Sequence, residues 1–309
     1  MLINMENNKS FTLIEIMAAI VIIGILSAFI IAKSQESFYQ ADIARGKAFS
    51  LSILTSLPVN FVSEWKFEGP TTVGSSATSE DVKDTWGASD GTLTGSPIVR
   101  SGINCISGNC LEFDGTEKYI NVGNADSLKI TGDQTIEMWL KPTSFSARRN
   151  PYNKAYGGEG TITQETSGGL NYYWGTCGGN CPPYQPFGSV TALSLNKWSH
   201  VLITRYISDA VPANRYLKWF INGKKTRTGT PSYSAATASA ASLLIGDGYV
   251  DPYSGLIDEV RIYNGALSIS QVQQNYYAGL NKLFGRKEFD TTEYQQRLGE
   301  LKSNLSGNE

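Results

Sequence analysis

The chain has 309 residues, 17% of them charged, and its formal net charge is −2. Because it has no long basic run, nothing in it attracts nucleic acid, and nucleic-acid binding is excluded as a function. The 31 glycines, 16 tyrosines and 6 tryptophans are typical of a turn-rich, aromatic β-protein rather than a helical cytosolic one.

The first long element is an apolar segment from Phe11 to Ala32. As a helix it is about 33 Å long, which matches a hydrocarbon core of about 30 Å. A stripe at three- and four-residue spacing continues the helix as far as Pro58, through Ala41, Ala44, Ala48, Leu51 and Leu54. We therefore predict one helix over 11–57, with 11–32 in the membrane. A cleaved secretory signal is disfavoured, because such signals are shorter and would not need the second half.

Glu15 lies inside this apolar segment. An ionised group in a bilayer is costly and usually pairs with another charge, yet no basic residue lies within a turn or two of Glu15. A new amino terminus created just before Phe11, on this chain or on a neighbouring copy, would supply the missing positive charge.

The stretch from Lys9 through Phe-Thr-Leu-Ile-Glu resembles the class III signal of type IV pilins and pseudopilins. The resemblance implies a leader over 1–10, cleavage between Ser10 and Phe11 by a prepilin peptidase, and methylation of the Phe11 amine. It also implies that Thr12 and Glu15 act in assembly, with Glu15 pairing with the amine of an adjacent subunit. Ser10 departs from the family pattern, which has glycine before the cleavage site.

The four cysteines form two close pairs, Cys105 with Cys110 and Cys177 with Cys181, in loops rich in glycine and asparagine. Such pairing favours disulfides in an oxidising compartment, so we expect the residues beyond the helix to lie outside the cytoplasm. Zinc binding is disfavoured because the chain has a single histidine. Free thiols remain the alternative in a reducing host.

Beyond Pro58 the helical period gives way to short alternating segments such as "TIEMWLKP" and "YLKWFING". The second segment ends in Asn222–Gly223, a strong signal for a tight hairpin. Further strands are predicted at "HVLITRY" and "SLLIGDG", separated by clusters of glycine, asparagine, aspartate and serine. This spacing predicts one antiparallel β-sandwich over 58–280.

The succession "EWKFEG", "CLEFDGTEKYINVGN", "NKWSHVLITR" and "GLIDEVRIYNGALSISQVQ" resembles the LamG-like, concanavalin A-type jelly roll. The resemblance implies an antiparallel β-sandwich that is common on surface proteins, where many members bind glycans or other partners. The fold class expected for the whole chain is α+β and mainly β: a long N-terminal helix, the sandwich and a short C-terminal helix.

Catalysis is not expected. The single histidine, His200, lies in a predicted strand without a nucleophile or metal motif, so strand packing is favoured. A glycosidase of this fold would need two carboxylates on one face of a strand. Glu137 stands alone in its strand, and Asp258 and Glu259 are predicted to face opposite sides.

Asp258 is predicted to share the core face with Leu256, Val260 and Ile262. A buried acid needs partners. Capping of backbone N–H groups is favoured, and a structural calcium ion is the alternative; no other cofactor is expected.

Exposed aromatic residues are the candidates for ligand binding. The loop-rich stretch "GGLNYYWGTCGGNCPPYQPF" places several of them around one cysteine pair: Tyr172, Tyr173, Trp174 and Tyr184. Such residues can stack on sugars or on partner proteins, and an equal alternative places Tyr172 and Trp174 in the core of a strand pair.

The tail over 281–309 is predicted to be helical. Thr292 with Gln295 forms a capping signal, and a stripe follows at Tyr294, Leu298, Leu301 and Leu305. We expect this helix to dock on the sandwich or on the N-terminal helix rather than to act as a separate binding element.

Together these features predict a minor pilin or pseudopilin that displays a LamG-like domain for adhesion. Its partners would be the prepilin peptidase, the membrane, other pilins in a filament and a glycan or protein ligand. It would pass from the cytoplasmic membrane, with the head outside the cytoplasm, to the cell surface. The alternatives are a permanently anchored surface protein and, less favoured, a glycosidase.

Overall fold

The computed structural model describes residues 60–286 and 290–305. All of them belong to the second of the two units into which the chain divides, Ser50–Glu309. The predicted leader over 1–10 and helix over 11–57 lie outside the described residues. So do the predicted processing and assembly residues Ser10, Phe11, Thr12 and Glu15.

The described part of the chain consists of sixteen strands and two α-helices. In chain order they are β1 (Phe61–Trp65), β2 (Thr92–Thr94), β3 (Ile98–Ser101), β4 (Asn109–Asp114), β5 (Tyr119–Gly123), β6 (Gln134–Pro142), β7 (Arg149–Ala155), β8 (Gly160–Gln164), β9 (Leu170–Gly175), β10 (Tyr184–Gly188), β11 (Ser199–Tyr206), β12 (Tyr216–Ile221), β13 (Lys224–Gly229), β14 (Leu243–Ile245), β15 (Asp251–Pro252), β16 (Ser254–Tyr263), α1 (Ile269–Gly285) and α2 (Thr291–Leu305). Short 3-10 turns lie at Ser79–Val82, Gly102–Asn104, Asp126–Leu128 and Pro212–Asn214.

The strands form two eight-stranded sheets. Sheet A has the order β13-β12-β11-β6-β16-β4-β3, with β1 also paired to β16. Sheet B has the order β10-β9-β8-β7-β14-β5-β2, with β15 paired to β7. Every pairing between these strands is antiparallel except that of β15 with β7. The predicted antiparallel sandwich is therefore confirmed.

The hydrophobic core lies between the sheets and follows the predicted alternation. In β6 the core residues are Ile136, Met138 and Leu140, and β12 contributes Leu217, Trp219 and Ile221. The intervening residues point to the outer face of sheet A. Asn222 and Gly223 turn β12 into β13 with φ values of 51° and 71°, as the Asn-Gly signal predicts.

Strand β16 departs from regular alternation at Asp258. The register with β6 shifts between Asp258 and Arg261, and Glu259 has a φ of 50°. This β-bulge reverses the expected faces on one side of it. Val260 and Ile262 face the core, whereas Asp258 lies opposite Trp139 on the outer face. The prediction that Asp258 shares a face with Val260 and Ile262 was wrong, because alternation was assumed to be unbroken.

Helix α1 covers part of the outer face of sheet A, and the sequence analysis did not predict it. Its capping box is formed by Ser268 and Gln271, and it crosses residue 280, where the sandwich was expected to end. Gly279 allows a close approach, since a Cβ there would lie 2.3 Å from Cζ2 of Trp139. The signal was present in the sequence as S-x-x-Q before an apolar stripe.

Helix α2 confirms the predicted C-terminal helix and its docking on the sandwich. Its first turn is capped by Asp290, whose Oδ1 accepts from Glu293 N at 2.8 Å, rather than by Thr292. Tyr294, Leu298 and Leu301 are buried as expected, and Tyr294 packs on Phe284 of α1 with ring centroids 4.4 Å apart. Within residues 60–286 and 290–305, neither helix has the length and apolar character needed to cross a membrane.

Candidate functional site

Four tyrosines meet at the outer face of sheet B, and we refer to them as the tyrosine cluster: Tyr156, Tyr173, Tyr184 and Tyr249. Tyr173 lies in β9, Tyr184 begins β10, and the other two come from the loops after β7 and before β15. Tyr156 is central, with ring centroids 4.6 Å from Tyr173, 6.0 Å from Tyr184 and 5.3 Å from Tyr249. Tyr173 and Tyr184 also meet edge to face at 5.6 Å.

The cluster has a buried base and an exposed rim. Tyr156 is buried, whereas Tyr184 is 38% exposed and Tyr249 is 63% exposed. Single exposed aromatic residues are ordinary on a protein surface, but rings that pack on one another, here tilted or edge to face, form a preorganised apolar patch. The cluster therefore offers exposed aromatic surface to a ligand without further rearrangement of Tyr156.

A hydrogen-bonded chain of polar side chains borders the cluster at Tyr173. Arg148 donates from Nε to Glu165 Oε2 at 2.8 Å and from Nη2 to Glu165 Oε1 at 3.3 Å. The same Nη2 donates to the Tyr173 hydroxyl at 2.9 Å, and Asn171 Nδ2 donates to Glu165 Oε1 at 2.9 Å. Planar polar groups beside aromatic faces are suited to a ligand that has both an apolar surface and hydroxyl groups.

The charge states of this region are fixed near neutral pH. Burial raises the pKa of the Tyr156 and Tyr173 hydroxyls, so both remain protonated hydrogen-bond donors. Burial acts to lower the pKa of Arg148, but the hydrogen bond and charge of Glu165 outweigh it, and the pKa is raised. The chain from Arg148 to Asn171 is thus an ion pair with neutral neighbours.

The disulfide between Cys177 and Cys181 holds the backbone that carries Tyr156. Asn180 Oδ1 accepts from Tyr156 N at 3.1 Å, and the next residue is tied to the same loop by Gly157 N to Gly179 O at 2.7 Å and Gly178 N to Gly157 O at 2.8 Å. These bonds connect the disulfide loop directly to the centre of the cluster.

The structure divides the predicted aromatic candidates into two pairs. Tyr173 and Tyr184 lie in the cluster, whereas Tyr172 and Trp174 are fully buried on the opposite face of β9. The Tyr172 hydroxyl donates to Gln134 Oε1 at 3.0 Å, and the Arg205 guanidinium lies 4.8 Å from the ring of Trp174. Ligand contact by Tyr172 and Trp174 was a wrong expectation, because strict alternation in β9 sends them into the core.

Sequence reasoning missed five members of the site: Tyr156, Tyr249, Arg148, Glu165 and Asn171. Tyr156 and Tyr249 belong to distant loops, and no spacing in the sequence links them to Tyr173. Arg148 is followed by Arg149 in a polar, proline-containing stretch, a pattern that indicates a solvated loop. Its neighbour Arg149 does turn away from the cluster and donates from Nη2 to the Ser146 hydroxyl at 3.3 Å. Only the folding of sheet B brings Arg148 to Glu165.

The other cysteine pair also forms a disulfide, Cys105–Cys110, and its loop is held by Asp258. Asp258 Oδ2 accepts from Ile106 N at 2.8 Å and Ser107 N at 3.2 Å, and Oδ1 accepts from Glu259 N at 2.8 Å. Asp258 therefore caps backbone donors, as favoured from the sequence. In the part of the chain that the structure describes, no group of three or more His, Cys, Asp and Glu side chains is placed to hold a metal ion.

The acids considered for catalysis are buried, Glu137 beneath α1 and Asp258 against the Cys105–Cys110 loop. Glu137 Oε1 lies 2.9 Å from His200 Nε2, and its Oε2 accepts from Asn275 Nδ2 at 2.8 Å and from the Tyr263 hydroxyl at 3.1 Å. Burial acts to raise the pKa of Glu137, but His200, Arg261 and Asn275 bring it down to about 2. Glu137 and Asp258 are both fully enclosed, so neither is accessible to a polysaccharide.

A polar groove of about 450 Å³ lies beside α2. It is lined by Lys197, Asn222, Asp290, Thr292, Glu293, Gln296, Arg297 and Glu300. The lining has charges of both signs and no aromatic ring, so it lacks the stacking surface that the tyrosine cluster offers.

Two segments of the chain match known families. Residues 114–273 match the family described as the concanavalin A-like lectin/glucanases superfamily. Residues 5–31 match the prokaryotic N-terminal methylation motif. None of the curated proteins compared with the chain matches it.

Solved structures share the sandwich fold. One of them is domain 4 of AbnA, a GH43 extracellular arabinanase from Geobacillus stearothermophilus, in complex with arabinotriose. Its TM-score is 0.52 at 21% sequence identity, and the match covers 69% of this chain and 96% of that domain. The botulinum neurotoxin serotype D ligand binding domain in complex with N-acetylneuraminic acid has a TM-score of 0.54 at 16% identity, over 73% of this chain.

The binding domain of Paraclostridial Mosquitocidal Protein 1 has a TM-score of 0.51 at 15% identity, over 71% of this chain. The match covers 52% of each of the two toxin chains, so this chain spans about half their length. At these identities the likenesses show the fold alone.

Proposed function

The chain belongs to the concanavalin A-like lectin/glucanases superfamily, which its residues 114–273 match, and from this premise we propose that it is a type IV pilin-like surface protein whose sandwich binds glycans. The tyrosine cluster with its exposed rim is the observation that carries the binding role. The proposal includes no catalytic step, since Glu137 and Asp258 are both buried.

The methylation motif over residues 5–31 supports the pilin-like part of the proposal. A prepilin peptidase would cut between Ser10 and Phe11 and methylate the new amine. Thr12 and Glu15 would then act in assembly with other pilins, as a minor pilin or pseudopilin, and the head would be displayed at the cell surface. A permanently anchored protein would instead keep its leader.

Mass spectrometry of the mature amino terminus tests this part of the proposal. A methylated Phe11 is the expected result. An intact leader over residues 1–10 in protein recovered from its own host would replace the pilin-like role with permanent anchoring, and the glycan-binding role would be unaffected.

Glycan binding follows from the two kinds of surface at the site. One face of a sugar ring carries C–H groups that pack on aromatic rings such as those of Tyr184 and Tyr249. The hydroxyl groups at its edge both donate and accept, and so match Arg148 and Glu165. The arabinotriose bound in the structure of the arabinanase domain is consistent with saccharide binding by this fold.

A glycan array probed with the full chain in detergent tests the binding role. We expect binding to at least one class of oligosaccharide, and a loss of at least about tenfold in affinity when Tyr184 and Tyr249 are both replaced by alanine. The control is Tyr216→Ala, which removes a partly exposed tyrosine from the outer face of sheet A. Absence of binding to every glycan, or equal loss in the control, would refute the role.

A further inference from the structure

Arg148, the cationic residue beside the tyrosine cluster, already has a carboxylate partner in Glu165. Both oxygens of Glu165 accept from the Arg148 guanidinium, in the bidentate geometry that fits an arginine to a carboxylate. The Glu165 side chain is 22% exposed, and its Oε1 also accepts from Asn171. A ligand therefore meets a neutral ion pair rather than a free arginine.

The opposite side of the cluster is acidic. Tyr249 is flanked in the chain by Asp247 and Asp251, and Glu117 lies close enough to act on Asp247. Burial raises the pKa of Asp247, and the charges of Glu117 and Asp251 raise it further. Asp247 and Asp251, each two residues from Tyr249, therefore place carboxylates on this side of the cluster, where an anionic ligand would meet like charge.

We propose that the tyrosine cluster selects uncharged saccharides over saccharides that carry carboxylates, and that Glu165 determines this selectivity. The inference rests on the proposed function, because it concerns the same site. A carboxylate on the ligand would either displace Glu165 from Arg148, leaving one of the two anions without a partner, or share the guanidinium with Glu165 against the repulsion of two like charges. A sugar hydroxyl can donate to Glu165 and accept from Arg148 without breaking their pair.

Matched oligosaccharides test the selectivity of the full chain in detergent. The probes differ only at carbon 6, which is a hydroxymethyl group in galactose- and glucose-based chains and a carboxylate in galacturonate- and glucuronate-based chains. We expect the uncharged member of each bound pair to bind at least about tenfold more tightly. Raising the salt from about 0.1 M to about 1 M, where the Debye length falls from about 10 Å to about 3 Å, should leave that binding unchanged.

Glu165→Gln removes the negative charge that neutralises the Arg148 guanidinium, with little change of shape. The variant should gain at least about tenfold in affinity for the carboxylated probes, and that gain should disappear at high salt. The matched control is Glu112→Gln, which breaks a similar exposed arginine–glutamate pair, with Arg100, on sheet A.

Three outcomes separate the inference from the proposed function. Tighter binding of carboxylated probes by the unaltered chain would overturn the inference and leave glycan binding intact. No gain in Glu165→Gln, with its melting temperature unchanged, would also overturn it. Failure of the unaltered chain to bind any saccharide would refute the proposed function itself.

Discussion

The outer faces of the two sheets carry polar and aromatic residues in similar arrangements but expose them differently. On sheet A, Glu137, His200 and Arg261 are covered by α1, and Tyr276 of that helix lies over Trp139 and His200. On sheet B, solvent reaches Arg148, Glu165 and the rim of the tyrosine cluster, Tyr184 and Tyr249.

The comparison shows that a polar group is accessible to a ligand when no helix covers its sheet face, whatever the type of residue. A glutamate that lies beside a histidine resembles catalytic chemistry, yet beneath α1 Glu137 is part of the interior and holds the helix on the sheet. An arginine–glutamate pair resembles an ordinary surface ion pair, yet the Arg148–Glu165 pair borders the tyrosine cluster, which we propose binds saccharides. The predictions below test this division.

The largest expected effect is on the covered face. Glu137→Ala leaves Arg261, His200 and Asn275 without their shared acceptor in a buried site. Removing one partner of a buried ion pair costs about 3–5 kcal/mol, and urea unfolding should show a loss of that size. Glu112→Ala, which removes an exposed pair with Arg100, should cost less than about 1 kcal/mol. Equal losses in the two variants would contradict the division between the faces.

The same buried pair predicts how stability depends on pH. The pKa of Glu137 is lowered from 4.5 to about 2, so its ionised form is favoured in the folded state. The ionised Glu137 carboxylate therefore contributes about 3 kcal/mol to the free energy of unfolding. This contribution is complete above pH 4.5 and is lost as the pH falls toward 2. The difference between the parent and Glu137→Gln in urea unfolding should shrink over this range. A constant difference from pH 6 to pH 2 would refute this assignment.

The two disulfides provide a matched comparison for the open face. Replacing Cys177 and Cys181 by serine releases the loop that holds the backbone of Tyr156. We expect saccharide affinity to fall about tenfold, because the tyrosine cluster loses its preorganisation. Serine at Cys105 and Cys110 instead loosens the loop capped by Asp258, and affinity should not change. Equal effects on affinity would show that Tyr156 is positioned independently of its disulfide loop.

Much of the sandwich could be predicted because its signals are local. The alternation in "TIEMWLKP" and the Asn222–Gly223 turn depend on neighbours in the chain, and both predictions were confirmed. The face of Asp258 was mispredicted because one extra residue at Glu259 shifts the register, and the sequence gives no local warning of that bulge.

The candidate site was only half predictable for a related reason. Tyr173 and Tyr184 lie close in sequence to one disulfide loop, so composition pointed to them. Tyr249 and Arg148 reach the same place from the loops before β15 and before β7, which have eight strands, β7 to β14, between them. The fold alone brings such residues together, because pairing of β7 with β8, β14 and β15 determines where their loops end.

The smallest expected effect comes from removing one hydroxyl group from Tyr172 or Tyr173, which are neighbours on opposite faces of β9. Tyr172→Phe removes a buried hydroxyl that donates to Gln134 Oε1 and accepts from Arg205 Nη1 at 2.9 Å. Urea unfolding should show a loss of about 1–3 kcal/mol, and saccharide binding should be unchanged. Tyr173→Phe removes the hydroxyl that accepts from Arg148, so affinity should fall a few-fold while stability changes by less than about 0.5 kcal/mol. The same atom is deleted from adjacent residues, so any difference comes from the face on which each ring lies. A reversed pattern would place the ligand on the other side of β9.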